Sequence, residues 1–138
     1  MLDMSTEFGA KVARRLREEV GIWLVTVSED GTPQPNPVWF LWDGEEVLFY
    51  SQPDKVKLRH IERRPRVALH LEGGELSEEV AVLAGDARVV AGEPAADATP
   101  AYLEKYRTHI ERLGMTAEEF ARSYSVAVRI RPAKVRGW

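Results

Sequence analysis

Residues 49–71, FYSQPDKVKLRHIERRPRVALHL, read as a strand ending at Ser51 and Gln52, a turn at Pro53, a short basic helix opened by Asp54, and a second strand from Arg66. Ser51, Lys55, Lys57 and Arg59 thereby cluster where a helix begins. A helix N-terminus carries free backbone N–H groups and partial positive charge, which suits an anion such as a phosphate. The plainer alternative is a solvated basic turn.

Upstream of this stretch, residues 6–20 pattern as an amphipathic helix. Phe8, Val12, Leu16 and Val20 form the apolar stripe, Lys11, Arg14, Arg15, Arg17, Glu18 and Glu19 cover the other face, and Gly21 ends it. IWLVTVS (22–28) is a β-rich run stopped by the hairpin signal Glu29-Asp30-Gly31-Thr32. The next strand, 35–42, opens with Pro35 and Pro37 and so is an edge, a bulge or a kinked entry. Val38, Phe40 and Trp42 face one way along it, Trp39 and Leu41 the other. This places Phe40 and Trp42 in the interior and Trp39 towards a groove, an assignment that a one-residue bulge at Pro37 inverts. Asp43-Gly44 turns the chain into EEVLFYS (45–51), with Glu45 and Glu46 expected to face water.

Downstream, RVALHLE (66–72) alternates, and a polar excursion at Gly73-Gly74 leads into a strand at 79–91. Thr99-Pro100 signals a helix start, and Tyr102, Leu103, Tyr106, Ile110 and Leu113 form its stripe up to Gly114. Thr116 and Glu119 match a capping box, and SVAVRIRP (125–132) is the last strand before a basic tail. Successive hairpins with alternating faces predict an antiparallel sheet, and six strands suffice to close a small barrel.

The chain has 138 residues, the length of one domain, with 44% hydrophobic and 30% charged residues, a soluble globular balance. A net charge of -3, from 19 Lys+Arg against 22 Asp+Glu, argues against a nucleic-acid partner. There is no cysteine, hence no disulfide, thiolate nucleophile or Cys-ligated metal. No signal-like apolar block opens the sequence and no segment approaches the roughly 20 apolar residues of a membrane span, so a cytoplasmic protein is expected. His60, His70 and His109 sit on separate elements without metal-ligand spacing, and no serine stands in a nucleophile elbow. A phosphate site without protein-borne acid, base or nucleophile fits a protein whose cofactor carries the chemistry, and equally one that only carries the cofactor.

The run DGTPQPNPVWFLWDGEEVLFYSQPDKVKLRHIERRPRVALHL, with the terminal RGW, resembles the flavin- and deazaflavin-binding split β-barrels related to pyridoxamine 5′-phosphate oxidase. More narrowly, it resembles their actinobacterial F420-dependent branch. The resemblance covers essentially the whole chain and implies one mainly β (α+β) domain over 1–138. That domain is a six-stranded antiparallel split barrel with an N-terminal helix at 1–20 and a helical insertion at 99–121. It implies a homodimer with a cofactor groove at each of two interface sites. Ser51 and Lys57 then hold a phosphate, with Gln52 and Lys55 nearby, and Asn36, Pro37, Val38 and Trp39 line the ring system. His60 and Arg64 stand where many relatives carry Asn, or Asp or Asn.

The implied function is an oxidoreductase that uses F420 to deliver a hydride to a small unsaturated or quinone-like molecule, with a tail site at Lys55, Arg59 or the partner's 129–136 stretch. Alternatives on the same fold are an FMN-binding protein or flavin reductase, and a non-enzymatic cofactor carrier or haem-handling protein with His70 as axial ligand. An oxidase acting on pyridoxal phosphate lacks support, since Arg129 and Arg131 have no accompanying histidine.

Overall fold

The computed structural model describes residues 2–138. Its elements are α1 (Glu7–Glu18), β1 (Gly21–Val27), β2 (Pro33–Trp39), β3 (Leu41–Trp42), β4 (Val47–Ser51), α2 (Val56–Arg63), β5 (Arg66–His70), β6 (Ala81–Val89), α3 (Pro100–Arg112), α4 (Ala117–Ser123) and β7 (Val126–Gly137). The strands form one antiparallel sheet in the order β2-β1-β5-β6-β7-β4-β3. The expected strand at 35–42 is therefore two strands, which makes seven rather than six. β2 and β3 lie at opposite edges of the sheet, yet only Phe40 separates them in the chain. The sheet must curl until its edges meet at that residue, and this closes the barrel.

Proline chemistry explains why β2 is an edge. Pro33, Pro35 and Pro37 fall at alternate positions, so all three missing donors face the same side of the strand, away from β1. At the long β6–β7 pairing the register slips between Ala84 and Gly85, opposite Pro132. A Cβ on Gly85 would sit 2.0 Å from the Arg131 carbonyl oxygen, so only glycine permits the strands to approach there.

The barrel interior is filled by alternate residues of the strands. Ile22 and Leu24 of β1, Val67 and Leu69 of β5, Val128 and Ile130 of β7, and Phe40 meet Val12 and Leu16 of α1 and Ile61 of α2. Leu48 and Tyr50, on the opposite face of β4 from Val47 and Phe49, join a second cluster under α3 and α4 with Tyr102, Tyr106, Ile110 and Phe120. The face assignment along 38–42 holds: Val38, Phe40 and Trp42 belong to the barrel, Trp39 and Leu41 to the second cluster.

Several charges and apolar residues depart from the sequence reading. Arg15 is buried rather than on the solvent face of α1, because its guanidinium donates to the carbonyls of Glu72 and Glu79 and to the Glu19 carboxylate. Those carbonyls lie over 50 residues away, beyond any helical periodicity. Val20 is exposed, since the helix stops at Glu18 and the chain has turned into β1 by Gly21. Leu113 is exposed for a similar reason, being the C-cap residue of α3. The Thr116–Glu119 capping box forms as expected. The basic tail is not a tail: β7 continues to Gly137, paired with β6.

Candidate functional site

The start of α2 is built differently from the expectation. Lys55, not Asp54, is the N-cap residue, and Asp54 takes a left-handed backbone with φ of 62°. No side chain caps the helix, so its first N–H groups remain available. Lys55 and Lys57 line a groove of about 370 Å³ whose walls come from five elements. β2 contributes Pro37, Val38 and Trp39, and the end of β4 contributes Tyr50, Ser51 and Gln52. α2 brings Lys55 and Lys57, while the α3–α4 side brings Tyr102, Leu113, Phe120 and Tyr124. Seven of the eight residues expected from the sequence thus line one groove. The eighth, Asn36, lies in the adjoining groove of about 340 Å³, together with the same two lysines, Gln34 and His60.

Among the described residues neither Lys55 nor Lys57 has a carboxylate within ion-pair distance. Burial, with the Lys55 charge beside it, pushes the Lys57 ammonium below its ordinary pKa. A dianion placed between these lysines would relieve both effects. The Ser51 hydroxyl is buried and donates to the Gln52 carbonyl at 2.8 Å, while the Gln52 amide donates to Ser123 Oγ at 3.0 Å. Rotated away from that carbonyl, the Ser51 hydroxyl can donate its one proton to a phosphate oxygen.

The Trp39 ring is fixed by stacking on Tyr106, with centroids 4.9 Å apart, and it lies 5.6 Å from Phe120. Phe120 in turn stacks on Tyr124 at 4.4 Å. This aromatic wall was invisible as a site in the sequence. The helical stripe marked Tyr102 and Tyr106 as buried but not the sheet face they cover.

Beyond the lysines the surface stays basic. A third groove, of about 620 Å³, shares Gln34, Val56 and His60 with the second and adds Arg59, Arg63 and Arg64, with Glu29 and Asp30 at its far end. The three grooves therefore form one trench from Trp39 to the β1–β2 hairpin.

The histidines stay apart. His60 Nδ1 pairs with the buried Thr26 hydroxyl at 2.9 Å, which gives this departure from the family pattern a structural role. His70 stacks on Trp23 away from the groove, and His109 packs edge-on against Trp39 and Tyr106. No group of three His, Asp or Glu among the described residues is arranged to hold a metal. Glu46, expected at the surface, is buried: it receives two hydrogen bonds from Arg88 and lies 3.5 Å from Arg131. Arg129 is likewise engaged, by Glu93 and Asp43. No helix of the described residues is long and apolar enough to cross a membrane.

The family described as pyridoxamine 5′-phosphate oxidase matches residues 8–138. A solved F420 reductase is 25% identical, with 89% of this chain and 94% of that chain covered and a TM-score of 0.66. A conserved hypothetical protein of Mycobacterium tuberculosis shares the fold at a TM-score of 0.75 and 23% identity, over 96% of this chain and 84% of that one. The haem storage protein HutZ of Vibrio cholerae does so at 0.66 and 14%, over 96% and 95%. No curated protein sequence matches the chain.

Proposed function

From the premise that this chain belongs to the pyridoxamine 5′-phosphate oxidase family, we propose that it is an oxidoreductase that binds F420 in the groove between β2, β4 and α2. The observation that carries this reading is the pair of lysines without acidic partners, beside the Ser51 hydroxyl and uncapped amides, at the foot of an aromatic wall. Ser51 and Lys57 hold the phosphate, Lys55 and Gln52 flank it, and Asn36, Pro37, Val38 and Trp39 border the ring system. When bound, F420 supplies a hydride to a small unsaturated or quinone-like molecule. The protein orients the ring, excludes water with Trp39 and its aromatic neighbours, and neutralises the phosphate.

The trench favours F420 over FMN. FMN ends at its phosphate, whereas F420 continues into an anionic oligoglutamate tail. The trench continues past Lys55 and Lys57 to Arg59 and Arg64, which have no carboxylate within ion-pair distance among the described residues, whereas Arg63 lies 3.7 Å from Glu29. In the 129–136 stretch, Arg129 is already paired with Glu93 and Asp43, and Arg131 with Glu45 and Glu46.

The same reading makes the protein a homodimer. Two cross-strand rows, Pro37–Trp23–His70–Val82 and Pro35–Val25–Ala68–Ala84, spread half-exposed apolar surface over the outer face of four strands. A second copy covers such a face by isologous pairing.

The test is a fluorescence titration of the purified protein with F420, FMN and the deazaflavin lacking phosphate and tail. Saturable F420 binding at least tenfold tighter than either comparator supports the reading. Tighter FMN binding moves the protein to the flavin branch, and binding of none of the three refutes the function. Mass determination in solution at twice the chain mass supports the dimer, and Trp23→Glu then yields the 15.6 kDa monomer.

A further inference from the structure

Phe40 is the single residue at which the barrel closes, and its backbone sits between two strands with no ladder of its own. Both of its polar groups are nevertheless satisfied, and by α3. The Phe40 N–H donates to the Tyr106 hydroxyl at 2.8 Å, and the Phe40 carbonyl accepts from Lys105 Nζ at 2.9 Å. The Tyr106 hydroxyl donates onward to the Val20 carbonyl, at the residue before β1. The Lys105 ammonium also lies 3.9 Å from the centre of the Phe40 ring. Tyr106 is linked to the groove through Trp39, because its ring is the one stacked on that groove residue. Two adjacent residues of one helix thus hold the corner of the barrel and the aromatic wall of the groove.

We propose that Lys105 and Tyr106 form a clamp that positions Trp39 and the end of β2 for ligand binding, and that the clamp's grip depends on the charge of Lys105. The ammonium makes both the carbonyl bond and the contact with the Phe40 ring face; a neutral amine keeps at most a weaker carbonyl bond. Burial brings Lys105 down to about 8, so the charge is lost within an accessible range of pH. The groups around it do not mask this titration. α1 brings Arg17 and the residue after its end, Glu19, whose charge opposes the shift; α3 itself brings Glu104 and the Tyr106 phenol, which burial keeps protonated. The corner contributes only Phe40, Leu41 and Trp42, none of which titrates.

This inference rests on the proposed cofactor groove, and its test separates the two. F420 and FMN affinities are measured from pH 6.5 to 9.5 for the wild type, Lys105→Arg and Lys105→Met. Lys57 also titrates, so the decisive quantity is the difference between wild type and Lys105→Arg, whose charge persists. The wild type should lose about fivefold more affinity than Lys105→Arg between pH 7 and pH 9, and Lys105→Met should be weak throughout. Parallel profiles for wild type and Lys105→Arg overturn the clamp. A ligand-free readout stands beside this one: Trp39 emission in a protein with Trp23, Trp42 and Trp138 replaced by Phe. An emission change centred near pH 8 that Lys105→Arg abolishes supports the clamp even if no cofactor binds, the result that would refute only the functional reading. Flat emission in a protein whose circular dichroism shows it folded overturns it.

Discussion

The two hydrophobic clusters of this protein lie back to back on β4, and they are made of different material. The barrel side is mostly aliphatic: Leu16, Ile22, Leu24, Leu69, Leu83 and Ile130 are all at most 1% exposed. The side under α3 and α4 is aromatic, with Tyr50, Tyr102, Tyr106 and Phe120 around Trp39 and Tyr124. Aliphatic side chains interdigitate and fill volume, with no polar atom to place. Tyrosines also fill volume, but each carries a hydroxyl that must find a partner. Tyr50 finds the Pro94 carbonyl and Tyr106 finds Phe40 and Val20. The aromatic side is thus wired to particular backbone atoms, and it is the side that walls the groove. Stability and recognition are carried by opposite faces of one strand.

Substitution on each face tests that division. Leu24→Ala removes a fully buried side chain from the barrel and should cost about 3 kcal/mol. That loss lowers the melting temperature by about 10 °C, while groove affinity stays within about twofold where the protein remains folded. A large affinity loss there would show that the two faces are not separable. Tyr106→Phe keeps the ring and removes the hydroxyl, leaving the Phe40 N–H buried and unpaired, at a cost of about 2 kcal/mol. Unlike Leu24→Ala, it should weaken F420 binding as well, because the corner it releases carries Trp39. Equal affinity in calorimetry for this variant and the wild type would assign Tyr106 to packing alone.

Lys57→Ala gives the reverse pattern. It should lower F420 affinity about tenfold, the loss of one charge-assisted contact, and leave the melting temperature unchanged or slightly higher. The slight gain follows from burial disfavouring the Lys57 charge in the fold. A drop of several degrees would make Lys57 a structural residue and remove the main support for the phosphate site.

The two faces also differed in how far they could be read from sequence. Alternation in 66–72 and along 38–42 assigns barrel residues directly, because a strand's period of two separates its faces. Asp30-Gly31 and Asp43-Gly44 mark their hairpins through glycines at φ of 87° and 97°. Ser51, Lys55 and Lys57 come together because they are near one another in the chain, and local order is what a motif records. What escaped were the long-range partners. Burial of Glu46 depends on Arg88, 42 residues away, and that of Arg15 on carbonyls at 72 and 79. The corner at Phe40 escaped for the same reason: nothing in PVWFLW says that one of its residues must leave the ladder for the barrel to close, or that Lys105 and Tyr106 will satisfy it.

The smallest expected effect is also the sharpest. Lys105 has a folded-state pKa of about 8, below its model-peptide value of 10.5. Between those two values the unfolded chain binds more protons than the folded one, so stability rises with pH across that window. The raised phenols of Tyr102 and Tyr106 work the other way, but only above pH 10, where the unfolded chain begins to lose their protons. Between pH 8 and 10 the wild type should therefore gain about 1 kcal/mol over Lys105→Arg, allowing for partial exposure. Urea unfolding at pH 7 and 9.5 measures it. Over the same range the clamp loses the cation that holds Phe40, so groove affinity falls. A residue that served packing alone would move stability and affinity together. Opposite slopes, both abolished by Lys105→Arg, mean that the lysine is kept charged in a half-buried place at some expense to the fold because the aromatic face needs its corner held.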